Sequence, residues 1–158
     1  MPSAGPPSSL EPGPHGTVTL THHHWKLTAC EAWHAAGRLT CHPEKDAADA
    51  ALALQMRPIR APALVGKDPR KPVSVAVPAG TSPRSARVRL RAGLWEIAWP
   101  GHKAHDRFIV GDGDEFRIQL VTRTGYCQKV KRSCVLDPDR TDRGVTIPDA
   151  QRAPSNGG

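Results

Sequence analysis

No run of about 18 apolar residues, the length an α-helix needs to cross a bilayer, occurs anywhere in the 158-residue chain. The first thirty residues also lack a basic start followed by an apolar stretch, so export by an ordinary signal is not expected. The nucleophile elbow G-x-S-x-G, the P-loop, the H-E-x-x-H zinc motif and the G-x-G-x-x-G dinucleotide loop are missing. Residues 111 to 115 read GDGDE but lack the ligand spacing of a calcium loop. These absences argue against an enzyme and against a bound cofactor. Apolar side chains are scarce at both ends, MPSAGPPSSLEPGPHG and QRAPSNGG, so neither end can offset the entropy of ordering by burial within its own chain. Extended arms are expected there, at 1–16 and within a coil-like stretch at 137–158.

The pattern that is present lies between Arg87 and Thr122. Val88 and Leu90 alternate with Arg87, Arg89 and Arg91; Trp95, Ile97 and Trp99 alternate with Glu96 and Ala98; Phe116, Ile118 and Leu120 repeat the spacing. A period of two puts one set of side chains on one face of a strand, so the apolar set is buried while the charged set stays wet. Arg107 to Val110 supplies a further strand. Ala92-Gly93, Pro100-Gly101 and Gly111 to Asp114 carry the glycine and proline chemistry of chain reversals. The expected fold is therefore mainly β: a small antiparallel β-sandwich over 73–136, with Trp95 and Trp99 in its core.

Upstream, Gly16 to Thr21 reads as a short strand with Val18 and Leu20 on one face. Thr28 and Glu31 have capping-box spacing and Gly37 can stop a helix, so Ala29 to Ala36 is expected to be helical; the competing reading continues the strand through Trp25, Leu27 and Ala29. Pro43 to Met56 is read as a second helix, with acids in its first turn and Ala47, Ala50, Ala51 and Leu54 at helical spacing. Leu52, Leu54 and Met56 also alternate, which leaves a strand open. The 17–60 segment is then expected to pack on the sheet. Pro58, Pro62, Pro69 and Pro72 mark a linker over 61–72, and the prolines around Val73 to Val77 place that strand at a sheet edge. Asp137 to Ile147 is read as coil with one extended piece at Val145 to Ile147.

The formal charge of +7 is uneven: residues 1–60 hold five Lys or Arg against five Asp or Glu, whereas 61–158 hold seventeen against ten. Arg87, Arg89 and Arg91 fall on one wet face, and Lys129, Lys131 and Arg132 cluster in one loop; both are candidate contacts for an anion or a partner, nucleic acid included, beside the plainer reading as solvated surface. Four cysteines fall in two local pairs, Cys30 with Cys41 and Cys127 with Cys134, the arrangement of two short disulfide loops. A Cys127 to Cys134 bridge would contribute about 2 to 3 kcal/mol in the chain-entropy model and hold the basic loop fixed. His22, His24, Cys30, His34 and Cys41 form the densest group of soft ligands, but only Cys30 and His34 have zinc-pair spacing, so a disulfide is preferred to a metal site. His102, His105 and Asp106 sit in one turn, where solvation is the default over proton relay.

The stretch from Val73 to Thr122 resembles the PEGA-type repeat, a small β-sandwich module of bacterial surface and envelope-associated proteins. Leu90 to Ile97 matches its glycine followed by a strand of alternating bulky positions, Pro100-Gly101-His102 its turn, and Phe108 to Val110 with Phe116 to Leu120 its closing hairpin. The Pro-Glu-Gly-Ala tetrad is absent, and His102 stands where the family has an aromatic. The resemblance implies a non-catalytic module for display or protein contact and transfers no site residues. Arms, a β-sandwich body and a basic surface together point to a non-enzymatic structural component of a multi-subunit assembly, such as a virus particle, with other protein subunits as partners. The alternatives are an envelope protein-binding module and a basic, zinc-stabilised nucleic-acid binder.

Overall fold

The computed structural model describes residues 13–33, 38–44, 48–60, 69–130 and 133–153. The chain is mainly β, and its strands fall into three sheets. The first contains β1 (His15–Trp33), β2 (Arg38–Glu44), β7 (Arg84–Arg91), β10 (Glu115–Val130) and β11 (Ser133–Thr146). The second contains β4 (Leu52–Pro58), β5 (Val73–Val77), β8 (Gly93–Ala98) and β9 (Asp106–Val110), in the order β5-β4-β8-β9. β3 (Ala48–Asp49) and β6 (Gly80–Thr81) form a two-residue bridge.

β1 organises the larger sheet. One of its edges pairs in parallel with β10, from Thr17 opposite Glu115 to Lys26 opposite Thr124. Its other edge is shared, antiparallel, by β7 along His15 to His22 and by β2 along Lys26 to Trp33. The sheet is thus mixed, where the sequence reading expects an antiparallel one. The four strands read as one block are also divided: β7 and β10 lie in this sheet, β8 and β9 in the other. Ala92-Gly93 and Gly111 to Asp114 are therefore corners at which the chain passes between sheets, and Pro100-Gly101 is a true hairpin turn, with the His102 amide donating to the Trp99 carbonyl at 2.9 Å. At the first corner Gly93 has φ +141, open to glycine because it has no Cβ.

The apolar positions converge as the alternation demands. Val18, Leu20, Val88, Leu90, Ile118 and Leu120 from the larger sheet share one buried cluster with Leu54, Met56, Val75, Val77, Trp95, Ile97, Phe108 and Val110 from the smaller. Phe116 and Phe108 meet edge-on across it, with ring centroids 6.0 Å apart. The buried Trp95 indole donates to the Arg91 carbonyl at 2.8 Å, which satisfies its one polar group. As expected, β5 lies at an edge of its sheet, and Trp95 and Trp99 are both buried.

Both expected helices are overturned: no α-helix occurs among the described residues. Ala29–Trp33 and Pro43–Glu44 belong to the β1–β2 hairpin, and Leu52–Pro58 is β4, paired on both edges with β5 and β8. Ladder partners on each side outweigh the modest helix preference of alanine-rich segments. The stretch read as coil after Asp137 is β11, paired with β10 as far as Gln119 opposite Thr146. The outer parts of both arms and most of the Pro-rich linker, residues 1–12, 61–68 and 154–158, lie outside the described residues.

Gly16 packs closely against the corner at which the chain passes from β9 to β10. A Cβ there would lie 2.6 Å from Val110 Cγ1 and 3.0 Å from the Gly111 and Asp114 carbonyl oxygens. Gly16→Ala is expected to lower stability by about 1 to 3 kcal/mol, the range for overpacking a close contact, as read from the urea midpoint; an unchanged midpoint would contradict this packing.

Candidate functional site: the polar end of the two-sheet body

Along four strands of the larger sheet the inward-facing row is apolar and then turns polar. Val18 and Leu20 are followed by His22 and His24; Ile118 and Leu120 by Thr122 and Thr124; Val88 and Ala86 by Arg84; Ile147 and Val145 by Arg143. The register brings these residues together, because His22 lies opposite Arg84, His24 opposite Thr122, and Thr122 opposite Arg143. Trp99, at the end of β8, closes over them from the second sheet, its ring centroid 5.8 Å from that of His22 in an edge-on contact.

Polar groups at such positions need internal partners. His22 is 3 % exposed; Arg84 Nε donates to its Nδ1 at 3.3 Å, so its proton is on Nε2, which donates to Thr122 Oγ1 at 2.8 Å. Burial, reinforced by the Arg84 charge, pushes the His22 pKa down to about 4. His24 Nδ1 meets Asp49 Oδ2 at 2.6 Å and its Nε2 meets Thr124 Oγ1 at 2.8 Å, while its backbone amide donates to Ser82 Oγ at 2.9 Å. The Thr124–His24–Asp49 chain has the connectivity of a hydroxyl–imidazole–carboxylate relay. Thr124, however, stands in a strand paired on both edges, with Lys26 and Thr141. What the chain of bonds does is fasten the β3–β6 bridge over the end of the body.

Of the five residues considered as zinc ligands, His22 and His24 each spend both ring nitrogens on protein partners, and His34 lies outside the described residues. No group of three or more His, Cys, Asp or Glu able to hold a metal occurs among the described residues. Cys30 lies directly opposite Cys41 in the β1–β2 hairpin. Directly opposed antiparallel residues have Cα atoms about 4.5 to 5.5 Å apart, within the span of a disulfide. Cys127 lies opposite Leu136 and Cys134 opposite Lys129, so that pair is two residues out of register, a diagonal of about 7 to 8 Å that exceeds the usual span. Arg87 and Arg89 lie on the outward face of the larger sheet beside Thr19 and Thr17, with Arg117 across from Thr19. Arg91 follows on the same strand, opposite His15. Lys129 is near the end of β10, and Lys131 and Arg132 lie outside the described residues. His102 is held by Asp106, Nε2 to Oδ2 at 2.7 Å, and packs on Trp99, whereas His105 stays exposed with Glu96 3.3 Å away.

The sequence reading names His22 and His24 as candidate ligands and leaves open a strand running on past Thr21, but it does not join them with Arg84, Thr122 and Arg143. The signal of this cluster is nonetheless in the sequence: alternation that continues past Leu20 and Leu120 with polar residues on the apolar beat. The chain matches no known protein family, no curated protein and no solved structure.

Because folding holds His22 neutral, the unfolded chain binds the extra proton between the ordinary imidazole value of 6.5 and about 4. The stability His22 contributes is present above that window and is lost as pH falls through it. The melting temperature is therefore expected to drop between pH 6.5 and 4, with a shallower slope in His22→Gln; parallel profiles for the two proteins would exclude the effect. A second expectation concerns the thiols: after air oxidation, non-reducing peptide mapping should recover Cys30 linked to Cys41, with Cys127 and Cys134 open to alkylation. A Cys127–Cys134 link would show that the tip of the β10–β11 hairpin departs from this register.

Proposed function

We propose that this chain is a non-enzymatic structural component of a multi-subunit assembly, such as a virus particle, in which a small β-sandwich body meets its neighbours through two projecting hairpins. The observation that carries the reading is strand length. β1, β10 and β11 run for 19, 16 and 14 residues, against about 5 to 6 for an ordinary strand. Among the residues whose burial is described, the fully buried row ends at His22 on β1 and Leu120 on β10. β1 and β10 stay paired as far as Lys26 and Thr124; past that point β1 pairs with β2, and β10 with β11. Two-stranded ribbons are marginal alone in water, so ribbons that leave their own core are best accounted for by a partner surface.

The base of the second ribbon is suited to that role. Tyr126 is 42 % exposed, and the Arg140 guanidinium lies 4.0 Å over its ring. Tyrosine and arginine are the residue types that dominate binding hot spots. No helix among the described residues is long and apolar enough to cross a membrane, which is compatible with protein subunits as partners and leaves β-barrels aside.

Native mass spectrometry of the chain isolated from its own source is expected to find it in a complex of defined stoichiometry, with itself or with other subunits. Tyr126→Ala combined with Arg140→Ala should weaken that complex at least about tenfold while leaving the melting temperature of the free chain near wild type. A monomer without partners would favour the envelope-module reading. A monomer whose DNA binding falls steeply with salt would replace the assembly reading with a nucleic-acid binder, and either result overturns the proposal.

A further inference from the structure

Independently of any assembly role, we propose that the polar end of the body is a binding site for a small ligand carrying an anionic group, carboxylate or phosphate, on an apolar body. A cavity of about 360 Å³ opens there between the two sheets, bounded by Arg84, Arg143, Thr122 and His22 on one side and by Trp99 and Leu52 on the other. That volume falls within the range of roughly 300 to 1,000 Å³ typical of small-molecule sites.

The charge of the cavity is the main argument. Among the described residues neither Arg84 nor Arg143 is paired with a carboxylate. Arg84 Nη1 donates to the carbonyls of Ala50 and Pro78, the latter at 3.0 Å, and its Nε donates to neutral His22. Those acceptors fix the guanidinium in place without neutralising it. Arg143 lies 5.7 Å over the Trp99 ring and, among the described residues, donates to the Gly101 carbonyl at 3.5 Å. The one acid on the cavity wall, Asp49, has its Oδ2 tied to His24. Two guanidinium groups therefore line the cavity with one carboxylate, leaving a net positive charge where part-buried walls strengthen the pull on an anion.

Stability alone does not explain this arrangement. The inward positions nearer the middle of these strands are filled by apolar side chains, which cost nothing in desolvation, whereas each part-buried guanidinium does. The Thr122 hydroxyl, which accepts from His22, retains its own hydrogen to donate into the cavity. Trp99 and Leu52 offer apolar surface for whatever carries the anion, so a bare ion would use only half of the site.

The test is a titration of the full chain followed by NMR at the indole N–H of Trp99, assigned by its loss in Trp99→Phe. Benzoate and phenyl phosphate are the anionic probes, inorganic phosphate the bare ion, and benzyl alcohol the neutral control. Benzoate, phenyl phosphate or both should shift the Trp99 resonance saturably below about 10 mM, benzyl alcohol should not, and inorganic phosphate should bind more weakly than phenyl phosphate. Which probe binds tighter separates a carboxylate from a phosphate ligand. Arg143→Gln should weaken binding about tenfold or more, and Thr122→Val, which leaves both guanidinium groups in place, should weaken it less. The proposal is overturned if no anion shifts Trp99 saturably, if benzyl alcohol shifts it equally, or if Arg143→Gln binds as wild type does. An intact β spectrum for Arg143→Gln keeps loss of binding distinct from loss of fold.

Discussion

The parallel pairing of β1 with β10 is the contact on which the rest of the structure rests. A parallel pair cannot be closed by a tight turn, and here the two strands are separated by most of the chain. Everything between them has to make the round trip. The chain leaves β1 through β2, crosses to the second sheet for β4 and β5, returns for β7, crosses again for β8 and β9, and comes back as β10. The apolar beat of Val18 and Leu20 against Phe116 and Ile118 fixes the register of that closure, because a slip of one residue would turn each strand's apolar row to solvent. The same register carries His24 to Thr122 and sets the polar end in place.

The two halves of β1 do different work. From His15 to His22 it is a core strand, paired on both edges and buried on one face. From Lys26 onward its second edge passes from β7 to β2, with which it pairs as far as Trp33 opposite Arg38. At the junction the inward row becomes His22 and His24. The polar end is thus the place where a packed two-sheet body gives way to ribbons, and the bonds to Arg84, Asp49, Ser82 and Thr124 are what let polar side chains occupy that transition without orphaned donors.

Where sequence reasoning failed, it failed for one reason. Thr28 with Glu31, and the alanines from Ala47 to Ala51, are good local arguments for helix, and local arguments do not know which strand will come alongside. Leu52, Leu54 and Met56 carry the correct signal at a period of two, and the partners that make it decisive, Val77, Val75 and Val73, lie 25, 21 and 17 residues downstream. The turns failed in a related way. A glycine corner between sheets and a glycine hairpin turn have the same composition, so Ala92-Gly93 could not be told from Pro100-Gly101. The polar end went unread because a histidine or threonine on the apolar beat looks like the end of a strand.

By itself the sequence determined the class of structure: strands with one dry and one wet face, a core holding Trp95 and Trp99, an edge strand bracketed by Pro72 and Pro78, and a basic surface. These follow from side-chain period and proline chemistry, which act over a few residues. Only the tertiary structure decided which strands share a sheet, that β1 and β10 run parallel, that Cys30 faces Cys41 while Cys127 misses Cys134, and that Arg84, His22, Thr122 and Arg143 meet beneath Trp99. Those outcomes depend on register between segments up to a hundred residues apart, and register is settled by the packing of the whole core, which no local stretch contains.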